Sequence, residues 1–360
     1  MMRNEAKRTV LITGGTGTIS SGLAEEFCKH NYSVTCITRG NMKWRQKEHI
    51  CYVYADVKDA KAMSRFLADK EFDIVIDCLA YTLEDLKRSL AYFYGRCKKY
   101  VFISTTAIYR RNKDDFIMED NFEELTEWGY ARNKIICEKY LNEWGKEKGF
   151  EYIIIRPPVV YGDYRVPFPV ISRKNQWTIW QRMIDSKPII NNNVEPVRYC
   201  VLHILDFSRA VRLLVENKKA SWESFHIADN NALFDWDDIL RVAAAILKTN
   251  VSIIHVALPV FKETFPALYD ELKWNKNQDL LLDDSKLYDL TGFRANITLE
   301  EGIESNIRSL REEYTLYNKL LDDEYNLACD QTILRGMQLG LIPQDDIQIV
   351  RKLRDLDDTK

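Results

Sequence analysis

The first 156 residues alternate short, fully apolar runs with longer stretches in which apolar residues recur every three or four positions. The runs are RTVLIT, YSVTCIT, CYVYA, FDIVIDC, KYVFIST and EYIIIRP. Helical patterns lie between them, from about Thr18 to His30, Ala60 to Ala68 and Leu83 to Arg96, with a further one carrying GYARNK at residues 129–134. Runs that are apolar at every position predict strands covered on both faces. Strands separated by helices pair in parallel through right-handed crossovers. The pattern therefore predicts an α/β fold with a doubly wound parallel sheet over residues 1–156. After Arg156 the order loosens into the proline- and aromatic-rich PPVVYGDYRVPFPV. Helices over Ile204 to Asn217 and Trp236 to Lys248 then mix with isolated strands in SFHIA and VSIIHV. This predicts a smaller α+β substrate lobe over residues 157–310, partly interleaved with the sheet and packed over the carboxyl ends of its strands, where open α/β sheets bind ligands. Residues 311–360 read as a charged helical extension broken at GLIP.

Composition narrows the function classes. The chain has 360 residues, 46% of them apolar and 29% charged, with a formal charge of −3, which speaks against nucleic acid as a partner. No apolar run is long enough to span a bilayer, and the start, MMRNEAKRTVLIT, passes into the first strand without a secretory pattern, so we expect a cytoplasmic protein without a membrane partner. Eight cysteines are scattered without a C-x-x-C pair, and five histidines are equally dispersed. Buried reduced thiols are expected, and no metal site.

The segment TVLITGGTGTIS places a strand, a glycine turn and a helix start in succession, with spacing Gly14-x-x-Gly17-x-x-Ser20. Glycines let the backbone turn tightly and approach a pyrophosphate, while the helix start offers free N–H groups. The order predicts a Rossmann-type dinucleotide loop, with Gly14, Thr16, Gly17, Thr18 and Ile19 as the cofactor-binding candidates; the alternative is a glycine turn that serves only the chain reversal. After the second strand stands Thr38-Arg39-Gly40, where an acidic residue would hold the 2′-hydroxyl of NAD. Arg39 instead suits the 2′-phosphate of NADP, so NADP is favoured over NAD, unless this arginine simply points to solvent. Asp56 either accepts from the adenine amino group or caps a helix. Further candidates for cofactor contact at the strand ends are Val57, Leu79, Ala80, Tyr81 and Pro158.

Tyr130 and Lys134 are one helical turn apart and share a helix face. Thr105, at the end of the fifth strand in FISTTAIY, lies 25 residues before Tyr130 and opens onto the same crevice. Together with TGGTGTIS, ISTTAIY, YARNK, IIRPPVVYG, LHILDFSRAV and DDSKLYDLTGF…ITLEEGI, in that order over roughly the first 310 residues, these pieces resemble the extended short-chain dehydrogenase/reductase family of nucleotide-sugar epimerases, dehydratases and reductases. The resemblance implies that Thr105, Tyr130 and Lys134 are catalytic, with Tyr130 and Lys134 also touching the cofactor. A free phenol titrates near pH 10, so positive charge must lower it before it can act as a base. Lys134 and an oxidised nicotinamide are the expected sources.

Enzymes of the family that eliminate water carry an acidic residue, often Asp-Glu, after the active-site threonine. Here Thr106 and Ala107 stand there, which argues against dehydration as the reaction. A nucleotide-sugar 4-epimerase working through a transient ketone needs only the triad, and so does a 4-ketoreductase. A non-catalytic NAD(P)-sensing or RNA-binding relative is the alternative of another class. For the sugar nucleotide, Thr105, Tyr161, Arg165 and Arg198 are the substrate candidates, with Arg198 one residue out of the family's spacing. The family also implies a homodimer. Its helices over Leu83 to Arg96 and around Tyr130 would pair with their copies through Leu86, Leu90, Phe93, Ile135, Ile136 and Tyr140.

Overall fold

The computed structural model describes residues 7–111, 115–121 and 126–357. The reading of the chain's start falls mostly on residues 1–6, outside them. Six strands of the first half, β1 (Thr9–Thr13), β2 (Ser33–Thr38), β3 (Cys51–Tyr54), β4 (Phe72–Asp77), β5 (Cys97–Ile103) and β6 (Tyr152–Arg156), pair in parallel in the order β6-β5-β4-β1-β2-β3. The register sets Ile12 of β1 between Cys36 and Ile76. All three side chains are fully buried, as expected of strands apolar on both faces.

The crossovers are α1 (Thr18–Lys29), α2 (Ala60–Leu67), α3 (Leu83–Phe93) and α4 (Gly129–Lys148). Local chemistry sets their ends. Asp59 caps α2 by accepting from the amides of Lys61 and Ala62, and Thr82 and Asp85 form a reciprocal capping box on α3. The α3 helix stops short of Arg96 because Tyr94 leaves helical geometry and Gly95 takes a φ of 75°. On one face of the sheet Val10, Ile12 and Ile74 pack with Leu23 and Phe27. On the other, Leu11 and Val75 pack with Met63, Leu86, Leu90 and Leu141.

The second lobe begins with β7 (Val159–Tyr161), α5 (Trp177–Ile184), β8 (Ile189–Asn191) and β9 (Tyr199–His203). The chain then returns to the first layer. Helix α6 (Ile204–Glu216) packs so closely on α1 that a Cβ on Gly22 would meet Ile204 at 2.2 Å. Strand β10 (Glu223–His226) joins the central sheet beside β6, making it seven-stranded. SFHIA is therefore an edge of the main sheet and not an isolated strand. The remaining elements are β11 (Leu233–Phe234), α7 (Trp236–Leu247), β12 (Ile253–His255), α8 (Phe261–Thr264), α9 (Pro266–Glu271), a π-helical turn (Leu272–Lys276), α10 (Ser285–Thr291), α11 (Leu299–Leu316), α12 (Asp323–Leu339) and α13 (Gln344–Asp357).

The helical tail covers the second lobe. Cys329, Ile333, Ile342 and Val350 share its core with Val256 and Trp236. His255 ties the tail down, its Nδ1 2.8 Å from Asp346 Oδ2 and its Nε2 3.1 Å from Asp237 Oδ2. These two carboxylates, Asp237 foremost, hold the imidazole up to about 9.

Candidate functional site

A cleft of about 1020 Å³ runs along the carboxyl ends of the central strands, between the sheet and the second lobe. Its floor is the glycine turn. Gly14 and Gly15 have φ of 108° and 117°, and a Cβ on Gly15 would lie 2.6 Å from Cys36 Cβ, so both must lack a side chain. Ser20, the larger residue at the last small position, is put to use: its Oγ accepts from the amide of Gly15 at 2.8 Å and closes the turn. Gly17 differs. Its φ is −84°, and a Cβ there would meet nothing nearer than Ser20 Oγ at 3.5 Å. The fold itself tolerates a side chain at 17, so glycine leaves open the space before α1. No side chain caps that helix, and its first N–H groups face the cleft. This cradle fits a dinucleotide's phosphates.

The end of β5 and the start of α4 form one wall. Thr105 is buried, its Oγ1 accepts from the amide of Ala107 at 3.1 Å, and its hydroxyl lies close enough to Tyr130 to favour the phenolate. Tyr130 sits in the first turn of α4 with its ring 5.0 Å from that of Trp128. Burial pushes the phenol up to about 12, which the Thr105 hydroxyl partly opposes. This is the opposite of the lowering expected of a resting base. Lys134, one turn on, is 2% exposed, and its ammonium donates to Ala80 O at 2.8 Å and Ile103 O at 2.7 Å. It also lies 5.0 Å from the centre of the Tyr81 ring. An ammonium has three donors, so one is left for a ligand. Burial lowers the lysine's pKa, and Asp77 opposes this.

Asp77 organises the neighbouring turn. It accepts from Thr13 Oγ1, Tyr100 OH and the amides of Leu79 and Ala80, which fixes the backbone that receives Lys134. Of the cofactor candidates, Thr16, Thr18, Ile19, Arg39, Asp56 and Val57 line the cleft, as do Leu79, Tyr81 and Pro158. Ala80 does not: it is buried and contributes only its carbonyl, to Lys134. Asp56 is not the cap of α2, which is Asp59. It accepts instead from the amide of Lys58.

Two substrate candidates are corrected. Tyr161 points inward, 2% exposed, with its ring 5.2 Å from that of His203 and its hydroxyl where a Cβ on Gly302 would fall. As the third residue of β7 it takes the core side of the strand. Arg198 lies outside the cleft and pairs with Asp279 at 2.8 Å. Arg165 does line the cleft. So do Ser104, Arg173, Glu271, Asn275 and Lys276, which the sequence reading did not single out. The Ser104 hydroxyl is buried without a partner among the described residues. Glu271 to Lys276 arrive from the polar run YDELKWNKNQ, which has no periodicity to mark it as anything but surface. Thr106 and Ala107 are turned away from the cleft: Thr106 Oγ1 donates to Pro157 O at 3.0 Å, and both side chains are buried.

The model of the NAD dependent epimerase/dehydratase family matches residues 10–228, more than half of the chain. The chain belongs to that family. Among curated proteins it is 25% identical over 182 residues to a putative UDP-arabinose 4-epimerase of Arabidopsis thaliana, and that match covers 43% of this chain and 42% of the plant protein. The chain thus spans about two-fifths of the length of the first relatives it matches. It is 22% identical over 334 residues to a UDP-N-acetyl-alpha-D-glucosaminuronate decarboxylase of Bacillus cytotoxicus, covering 85% of this chain and 98% of the other. Among solved structures, an epimerase from Methanothermobacter thermautotrophicus superposes with a TM-score of 0.73 at 15% identity, covering 87% of this chain and 94% of that one. The UDP-glucose 4-epimerase of Thermotoga maritima gives 0.68 at 19% identity, covering 85% and 99%. At these identities the two structures establish the fold.

Proposed function

We propose that the protein is an NAD(P)-dependent nucleotide-sugar epimerase acting at carbon four, with Tyr130 as its acid/base. The observation that carries this is the hydroxyl pair of Thr105 and Tyr130, set one helical turn from the buried Lys134 in a cleft that begins on an uncapped glycine turn. When bound, an oxidised nicotinamide dinucleotide supplies a hydride acceptor and a positive charge. Tyr130 exchanges a proton with the sugar hydroxyl, and Thr105 hydrogen-bonds the same oxygen. Lys134, held on two carbonyls, offers its third donor and its charge to the ribose side of the cleft. At about 12 the phenol rests two units above a free tyrosine, roughly 3 kcal/mol further from ionisation, so it rests protonated and needs added positive charge before it can act as a base. The test is turnover of candidate UDP-sugars by the wild type, with the ratio of epimers at equilibrium read by chromatography. Stoichiometric consumption of reduced cofactor without epimerisation would favour the 4-ketoreductase that the same residues allow.

Finer readings follow. Arg39 lines the cleft, exposed and without an ion pair to a described residue, which supports NADP. The cysteines are free among the described residues, which suits a reducing cytoplasm, and no described helix is long and apolar enough to cross a membrane. Pairing of two copies through α3 and α4 rests on a narrower base than the apolar count suggested. Leu86, Leu90, Phe93 and Ile135 are already buried within one chain, leaving Ile136, 40% exposed, and the half-buried Tyr140 for a partner. Sedimentation at micromolar concentration checks it.

A further inference from the structure

Lys276 closes the π-helical turn on the substrate-lobe wall of the cleft. Single π turns are rare and often mark functional sites. The side chain is 5% exposed, and its ammonium lies over the rings of Tyr199, at 4.9 Å, and Trp236, at 5.8 Å. No described residue accepts a hydrogen bond from it or pairs with it. A buried ammonium in this state is costly, and an apolar side chain of similar length would fill the space at less expense. The neighbours sharpen the problem. Arg111 and Arg165 bring like charge, and the Arg111 guanidinium is spent on neutral acceptors, Tyr199 OH and Asn275, which hold the turn in place. Only Glu271 offsets them, and it is shared with Arg173 at 3.6 Å. Burial accordingly drives the amine down to about 7.

Resting on the nucleotide-sugar reading above, we propose that Lys276, with Arg165, seats a carboxylate carried on the sugar of the substrate. The glycine turn and its free amides suit the cofactor's diphosphate, so the rival occupant of this seat is the substrate's own diphosphate, which carries more charge. Here there are aromatic walls, one ammonium and one guanidinium, which match a single negative charge on two oxygens. The seat opens into the same cleft as Thr105 and Tyr130, with Arg165 and Glu271 lining it as well. The protein would thereby prefer uronic-acid nucleotide sugars over neutral hexoses.

The test is calorimetry on the cofactor-loaded protein with three probes: UDP, a neutral UDP-hexose and the UDP-hexuronic acid of the same configuration. The wild type should bind the uronic acid at least about tenfold more tightly than the hexose. Lys276→Met should erase that difference while leaving UDP affinity and melting temperature in place, and Lys276→Arg should keep part of it. Arg165→Gln, at the open side of the seat, should weaken the same preference without risk to the core. With Arg111, Arg165 and Glu271 fixed around it, Lys276 loses its proton above pH 7, so the preference should shrink as pH rises and be pH-independent in Lys276→Met. Equal affinities for the two sugars in the wild type overturn the proposal, and so does an equal loss of all three probes in Lys276→Met, which would make the seat a diphosphate site. In both cases the epimerase reading survives, since UDP still binds the wild type. If neither sugar nor UDP binds the wild type, the epimerase reading falls and takes the seat with it.

Discussion

The two walls of the cleft spend their polar groups differently. On the wall built from β1, β4, β5 and α4, most groups are satisfied inside the protein: Ser20 on the amide of Gly15, Asp77 on Thr13, Tyr100 and two amides, Lys134 on two carbonyls. Partners are near in sequence, on adjacent strands, or, for Lys134, at the strand ends that α4 covers. The wall from the second lobe instead brings together Arg165, Glu271 and Lys276 from separate segments and leaves Lys276 without a described partner. On the readings proposed above, the first wall holds a constant ligand by its backbone, and the second keeps charge in reserve for a ligand whose identity it selects.

Breaking the first wall should have the largest effect. Gly17→Val should abolish retention of the nicotinamide dinucleotide yet melt like the wild type, because a side chain at 17 meets the empty space before α1 and not the fold. Unchanged cofactor affinity by calorimetry would falsify the cradle assignment. Next, Tyr130→Phe keeps the packing and should cost 10²–10⁴ in turnover with cofactor affinity intact, while Thr105→Val, which removes one hydrogen bond, should cost about tenfold. Near-normal turnover in Tyr130→Phe on a verified substrate would reduce the Tyr–Lys spacing to a helix face. Lys134→Met should differ from both by also lowering stability, since it strands two buried carbonyls at about 1–3 kcal/mol each. An unchanged melting temperature would show that the lysine's only task is chemical.

The second lobe has its own ionic ties, and pH tests them. His255 titrates at about 9 in the folded state against an ordinary 6.5. Its contribution is therefore complete below about pH 6.5 and is lost as pH rises through 9, with an upper bound of about 3 kcal/mol before solvent screening. His255→Gln should destabilise the protein at pH 6 and have little effect at pH 10, as followed by denaturant titration. A pH-independent loss would mean that the imidazole packs but does not tether. The smallest effect is expected from Arg39→Asp, which should weaken NADP binding more than NAD. Equal losses would remove the support for NADP.

Much of the first wall was legible in the residues because its signals are local. The glycine turn and the Tyr130 and Lys134 pair each lie within a few positions of one another. The runs apolar at every position reported strands buried on both faces, and six of the seven sheet strands were placed within one or two residues. Errors arose where a residue type suggested chemistry but long-range packing chose otherwise. Tyr161 was taken for a substrate contact from its place in the segment after Arg156, yet its position in β7 turns it toward Gly302, far along the chain. Arg198 found Asp279, 81 residues later. Of the apolar residues assigned to a dimer, Leu86, Leu90 and Phe93 are ones that α3 uses against its own sheet.

The sequence by itself determined the doubly wound sheet, the glycine turn and the shared helix face of Tyr130 and Lys134, since periodicity and short spacing bring those residues together whatever the rest of the chain does. Only the tertiary structure decided that SFHIA would return to the edge of the central sheet, that the helical tail would close over the second lobe, and that Lys276 would be buried facing the cleft. Each of these depends on contacts between segments tens to hundreds of residues apart, and such contacts leave no period in the chain to read.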